Sequence, residues 1–266
     1  MINKFINKYH GLNDIFSSVK RIDVIIHLAI TDLRARYKNS VLGPLWISLG
    51  TGIFIFGLAF LWSELFHKDV RSFIPSLSIG LILWYFISSC ITDSTTILIN
   101  KSMIIKNLKI PIFMFPFQVL IKQFFNLLHN LIIFIIIFFI FDMDANINLI
   151  YAPLTFILFF INMLWISLLL SILGARFRDL SFVISSVLPL LFFLTPVLYR
   201  ADDLNILKSI LWLNPFSHFI EIIRAPLMGM PVQIESVFYS IAFMVLGWTL
   251  TIFLFNKIRN KIIFWI

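Results

Sequence analysis

Long apolar runs separated by short polar connectors dominate the chain. Six runs suit helices crossing a bilayer: residues 44–65, 74–98, 113–141, 149–173, 181–198 and 235–256. Most reach the roughly 20 residues that a crossing needs. Ahead of them, over 13–38, Ile15, Val19, Ile22, Ile26, Ala29, Leu33 and Tyr37 recur every three or four positions. Lys20, Asp23, His27, Thr31, Arg34 and Lys38 take the other side. This predicts one amphipathic helix in the headgroup plane; a helix packed on a partner protein fits the same pattern. Gly43-Pro44 joins it to the first run, and proline suits the first turn of a helix.

Residues 199–233 are too apolar for a loop and too broken for two more spans. One stretch covers 204–213. A second, 216–230, is interrupted by His218, Glu221, Arg224 and Pro226, and Asn214-Pro215 separates the two. Two short re-entrant helices at the outer face are predicted, since they satisfy their own backbone. Glu221 and Arg224, three apart, are placed to pair. The fold class is therefore an all-α polytopic membrane protein. It is read as one transmembrane domain over 1–266, with six transmembrane helices, an N-terminal interface helix, a basic loop at 98–112 and the two outer helices.

Composition agrees. Of 266 residues, 60% are hydrophobic and 13% charged, about half the charge of a soluble domain. The single cysteine, Cys90, excludes an internal disulfide and reads as a small core residue. The first twenty residues are polar, and no removable signal peptide is expected. The net charge of +8 raises the question of nucleic acid, but its distribution points to a membrane. With the N-terminus inside, fifteen Lys/Arg fall on inner segments and five on outer ones, with Lys122 inside the third span. The positive-inside rule then puts both termini in the cytoplasm.

Catalytic motifs are missing from the sequence. No glycine-rich loop precedes Lys-Ser or Lys-Thr, no His/Cys spacing suits zinc, and there is no nucleophile elbow. The chain is read as a non-enzyme that binds no metal or cofactor. Two polar stripes lie within the spans. Tyr85, Ser88, Ser89, Thr92, Asp93 and Thr96 share one side of the second. Gln118, Lys122, Asn126 and His129 share one side of the third. Interhelical hydrogen bonding and a polar path both explain them. Asp93 and Lys122 are expected to approach each other. Trp62, Trp84, Tyr85 and Tyr199 fit an interfacial aromatic belt, or a surface on which sugar rings stack.

Four stretches resemble the membrane-spanning subunit of ABC transporters that export O-antigen, capsule or teichoic acid polysaccharides. They are Asp32-Leu-Arg-Ala-Arg-Tyr-Lys-Asn-Ser-Val-Leu-Gly-Pro-Leu-Trp46, Lys106 through Pro116, Ala175-Arg-Phe-Arg-Asp-Leu180, and Asn214-Pro-Phe-Ser-His-Phe-Ile-Glu-Ile-Ile-Arg224. The resemblance implies a homodimeric channel in the bacterial inner membrane that serves O-antigen export and so lipopolysaccharide biosynthesis. Two copies of a separate ATPase would supply ATP and Mg chemistry. It implies that Lys101, Lys106, Asn107 and Lys109 form a coupling segment seated in that ATPase, with Arg176 and Asp179 nearby. Asn214, Pro215, Glu221 and Arg224 would belong to an outer gate. Trp62, Trp84, Tyr85, Ser89 and Tyr199 would line the path of a lipid-linked glycan. Arg34, Arg36 and Lys38 are placed to attract its pyrophosphate head, and plain anchoring to anionic lipid explains them equally. Competing readings are a drug or peptide exporter of the same fold, and a polyprenyl-phosphate sugar transferase. The transferase would want clustered acids, and beyond the N-terminal acids the inner loops offer only Asp179.

Overall fold

The computed structural model describes residues 10–43, 45–66, 70–108, 110–143, 146–199 and 212–266. Helices α1 (His10–Val19) and α2 (Ile22–Arg36) precede α3 (Leu45–Phe66), α4 (Val70–Asn100) and the short α5 (Ser102–Asn107). Then come α6 (Met114–Ile140), a 3-10 turn (Ile147–Tyr151), α7 (Ala152–Arg176) and α8 (Leu180–Leu194). The chain closes with α9 (Pro215–Leu227), α10 (Ile234–Ile258), a 3-10 turn (Arg259–Lys261) and the terminal turn α11 (Ile262–Trp265). There is no strand among the described residues. Pro44, Lys109 and residues 200–211, which carry most of the first expected outer helix, lie outside them.

Among the described residues, five helices are long and apolar enough to cross a membrane: α3, α4, α6, α7 and α10. The expected fifth span, 181–198, is shorter than its hydropathy suggests. Its helix α8 has 15 residues, about 22 Å, against a hydrocarbon core of about 30 Å. Pro196 explains the early end. A residue before proline is driven out of the α region, and Thr195 is extended, with φ −100° and ψ 137°.

The N-terminal segment also differs from expectation, with two helices instead of one over 13–38. The break follows Ser18, whose hydroxyl donates to the Asp14 carbonyl at 2.8 Å, a back-bond that bends helices. The buried side overlaps only in part with the stripe that spacing singled out, since Ala29 lies on that stripe and Ile25 does not. Ile25 and Ala29 are buried against the protein, while Val19, Ile22 and Ile26 remain exposed.

The bundle is organised around α4, of whose apolar stretch 83% is buried, against 22% for α3 and 17% for α10. Its closest neighbour is α7. Ser94 and Ser167 share a 2.6 Å hydrogen bond across that contact, and Ser167 also donates to the Pro116 carbonyl of α6. Small residues permit the approach. A methyl group on Gly174 would collide with the Thr95 carbonyl, a backbone atom that cannot swing aside. Gly174→Ala is therefore expected to cost about 1–3 kcal/mol by overpacking. Thermal unfolding in detergent reads this directly; unchanged melting would show that the two helices are free to separate.

Two apolar cores result among the described residues. One joins α4, α6, α7 and α9 through Trp84, Phe86, Phe134, Phe159 and Phe219. The other lies at the basic end of the bundle and draws on Ile25, Leu98, Ile105, Phe113, Phe255 and Ile262. Helix α6 reaches well past α3 at this end. Ser48, in the first turn of α3, donates to the carbonyl of His129, 15 residues into α6 and so about 22 Å from its start.

Candidate functional site at the basic end

Helix α5 is one and a half turns long, too short to persist alone. It is held by its surroundings. Ile105 is buried in the second core, whereas Met103, Lys106, Asn107 and Leu108 face outward. Lys101, just before α5, reaches Asp32 of α2 at 2.9 Å. The other oxygen of Asp32 accepts from Gln118 of α6 at 2.7 Å. One carboxylate thus ties α2 to both sides of the 101–112 connector.

Asp14 does the same from α1 and is more deeply set, with its side chain 1% exposed. Its carboxylate accepts the backbone N–H groups of Ile112 at 3.1 Å and Phe113 at 2.9 Å. These donors open α6 and have no partner within that helix, so Asp14 caps it from another element, where the helix dipole also favours a negative charge. Arg259, after α10, pairs with the same carboxylate at 2.9 Å. Asn256 of α10 accepts from the backbone N–H groups of Gly11 and Leu12. A cavity of about 600 Å³ lies between these parts, lined in part by Asn13, Arg21, Lys106, Pro111 and Arg259. The connector around α5 is thus joined by these contacts to α2, α4, α6 and, through Asp14, to α1 and the C-terminal segment.

Arg176 and Asp179 are exposed between α7 and α8. The Arg176 guanidinium lies 5.3 Å from the ring centre of Trp265, a cation–π approach that brings the second short connector to the C-terminal turn. Arg34, Arg36 and Lys38 are exposed along the end of α2. Beside them, burial raises the Tyr37 phenol above its ordinary range, and the neighbouring Arg36 charge opposes this. Tyr37 therefore stays neutral and adds no charge to this basic surface.

The intramembrane stripes converge. Lys122 Nζ lies 2.5 Å from Asp93 Oδ2. Gln123 donates to the same oxygen at 2.7 Å and accepts from Asn126 at 2.7 Å. Lys122 is seven residues, about 10 Å, nearer than His129 to the basic end of α6. The pair thus sits below the first turn of α3.

The aromatic residues separate. Trp84 is a core residue of the single chain, 6% exposed and packed against Phe192 and Phe216. Burial between α8 and α9 leaves it no open surface for a path within one chain. Trp62 and Tyr199 are half-buried, and the Tyr199 hydroxyl donates to the Phe193 carbonyl. Tyr85 and Ser89 are half-buried on the face of α4 that meets α3 and α6.

At the far end, Asn214 caps α9 by accepting from Phe216 N–H, and its amide donates to Thr195 Oγ1 at 2.9 Å. Pro215 follows at the first helical position, where it is favoured. Arg224 is 2% exposed and fully engaged, with Glu221 at 2.5 Å and the Pro196 carbonyl at 2.7 Å. His218 stacks on Tyr239 at 4.7 Å and bonds the Trp212 carbonyl. These contacts latch the segment after α8 to both ends of α9.

Sequence reading did not single out Asp14 or Arg259; it named Gln118 only as part of a polar stripe and Asp32 only as the first residue of a resembling stretch. One signal was available. Asp14 and Asp32 are 18 residues apart, five helical turns, and are acids in a segment otherwise rich in Lys and Arg.

A family model described as an ABC-2 type transporter matches residues 24–228. Two proteins of Klebsiella pneumoniae, each named O-antigen export system permease protein RfbA, are 26% and 27% identical to this chain. Each alignment covers 90% of it and 93% of the relative. A protein of the same name from Myxococcus xanthus is 23% identical over 72% of this chain and 75% of its own length. The matched region runs from α2 through α9 and includes the anchored connector helix, and the chain belongs to the ABC-2 type transporter family of membrane permease subunits.

Proposed function

We propose that this chain is the permease subunit of an exporter that moves a lipid-linked polysaccharide, of O-antigen type, across the bacterial inner membrane. Two copies form the channel, and each seats α5 in a separate ATPase that binds ATP and Mg. The observation that carries this reading is the anchorage of α5. An exposed basic helix fastened to two long helices and both N-terminal helices is suited to turn a partner's movement into rearrangement of the bundle. In this reading the basic end is cytoplasmic, as are both termini. The exposed apolar sides of α3 and α8 leave surface for a second copy, as they do for lipid. The names of the relatives support the cargo. Capsule or teichoic acid chains would use the same machinery.

The test is reconstitution with an ABC ATPase subunit that copurifies with this chain. Lipid-linked glycan is expected to stimulate ATP turnover, and hydrophobic drugs are not. Stimulation by drugs alone would make it a drug exporter. Lys106→Glu is expected to cut export by about tenfold while ATP turnover continues. Undiminished export in cells would remove α5 from the coupling role.

A further inference from the structure

The basic end holds more positive charge than its own contacts use. The cavity of about 600 Å³ between α1, the connector around α5 and the C-terminal segment is lined by one acid, Asp14, and by three cations, Arg21, Lys106 and Arg259. Asp14 and Arg259 pair with each other, and the same carboxylate caps α6 through Ile112 and Phe113. The helix start beside the cavity is therefore already taken. Arg21 and Lys106 make no side-chain hydrogen bond or ion pair among the described residues. They come from separate elements, Arg21 from the corner between α1 and α2 and Lys106 from α5. Two uncompensated charges thus line one space, and like charges brought together favour an anion between them. Asn13 and Ser17 add an amide and a hydroxyl to the lining, neither of them engaged among the described residues.

The level of the cavity narrows the source of that anion. On α1, Asn13, Asp14 and Ser17 line it. Phe16 and Val19 do not, and they are 66% and 49% exposed. Ile22, at the start of α2, continues this bare apolar side. A short helix with one side polar against the protein and the other apolar and uncovered lies in the headgroup plane. The cavity then opens where the phosphates of the adjoining leaflet are. A guanidinium matches phosphate oxygens with paired donors, and an ammonium adds a compact charge. The hydroxyl and the amide suit the polar remainder of a headgroup. The volume falls within the range of small-molecule pockets, about 300–1,000 Å³, and is more than a bare phosphate ion fills.

We propose that this cavity binds a phosphate group supplied by an acidic phospholipid of the adjoining leaflet, with Arg21 and Lys106 on its oxygens. Bound there, the lipid bridges the α1–α2 corner to α5, alongside the anchor that Asp14 provides. The site is separate from Arg34, Arg36 and Lys38, which lie about 20 Å farther along α2. It does not depend on what the protein exports.

The experiment titrates the purified full-length chain in detergent with phosphatidylglycerol, phosphatidylcholine and inorganic phosphate, and counts bound lipid by native mass spectrometry. Phosphatidylglycerol is expected to bind about tenfold tighter than phosphatidylcholine, which carries the same phosphate without net charge. Arg21→Gln and Lys106→Gln are each expected to weaken phosphatidylglycerol about fivefold, the effect of one cation at an anionic surface. Lys20→Gln removes a neighbouring exposed charge that does not line the cavity, and is expected to change binding by about twofold at most. Arg21 and Lys20 are both exposed, so both variants should melt as wild type does, which separates lost binding from lost folding. Competition by inorganic phosphate at matched concentration also supports the phosphate site and assigns it a soluble source. Equal binding of the two lipids overturns the proposal. An equal loss in Lys20→Gln and Arg21→Gln overturns it too, because attraction would then be spread over the surface. Displacement of the lipid when the ATPase binds, with Arg21→Gln weakening that assembly, would give the cavity to a carboxylate of the partner and overturn the lipid assignment.

Discussion

Replacing Asp14 by alanine is expected to destabilise the basic end by about 3–5 kcal/mol, the range for breaking a buried charge pair from one side. Three groups lose their partner together. The N–H groups of Ile112 and Phe113 are left uncapped at the start of α6, and Arg259 loses its carboxylate. Water reaches this carboxylate poorly, since its side chain is 1% exposed. Asn keeps one acceptor oxygen for the α6 cap but removes the charge, so Asp14→Asn should lose less. Arg259→Gln should lose less again, because that side chain is 27% exposed and the cap survives. Thermal unfolding of the purified chain gives the ranking. Export and ATP turnover in the assembled transporter give the consequence, with turnover persisting as export falls. Wild-type melting in Asp14→Ala would mean that α6 starts as well without its cap and that α1 is only a passenger.

The second large effect is expected at the opposite end. Arg224→Ala removes a guanidinium that is 2% exposed and holds both Glu221 and the carbonyls of Pro196 and Tyr199. The penalty, about 3–5 kcal/mol, arises mostly from what is stranded: a largely buried carboxylate and two carbonyl oxygens. Lysine is a poor substitute, because one ammonium cannot span the fork that reaches both sides. Glu221→Gln combined with Arg224→Met should cost less than Arg224→Ala alone, since no charge is left behind. Freed from α9, residues 196–199 no longer fasten the end of α8. Reconstituted complexes carrying Arg224→Ala are then expected to leak ions at rest. Wild-type conductance would show that this latch does not close anything.

The positions of the long helices were legible because hydrocarbon allows few solutions. A backbone without water must bond to itself, so each long apolar run becomes a helix, and the observed ends fall within a few residues of those read from hydropathy. The shortfall at α8 was legible too, in principle. Pro196 was in view, but its restriction on Thr195 is local and is easily outweighed in a reading that counts apolar residues. Glu221 and Arg224 were readable as a pair because three residues on a helix enforce proximity. The contacts from Arg224 to Pro196 and Tyr199 were not, since 25 or more residues separate them and no periodicity connects them.

The N-terminal helices mark the boundary. Spacing alone identified an amphipathic segment, but an apolar stripe on such a helix satisfies lipid and protein equally well. Only packing shows that Ile25 and Ala29 face the bundle while Ile22 and Ile26 do not. From the sequence by itself follow the membrane, the all-helical class, the near-absence of titratable chemistry in the spans and the connectors that carry the charge. Each depends on the local cost of putting a residue into oil or water. The tertiary structure alone decided that Asp14 and Asp32 are the anchors of α5 and α6, and that Trp84 is core. Those roles depend on which distant donor or ring arrives at the same place, and hydropathy holds no record of that.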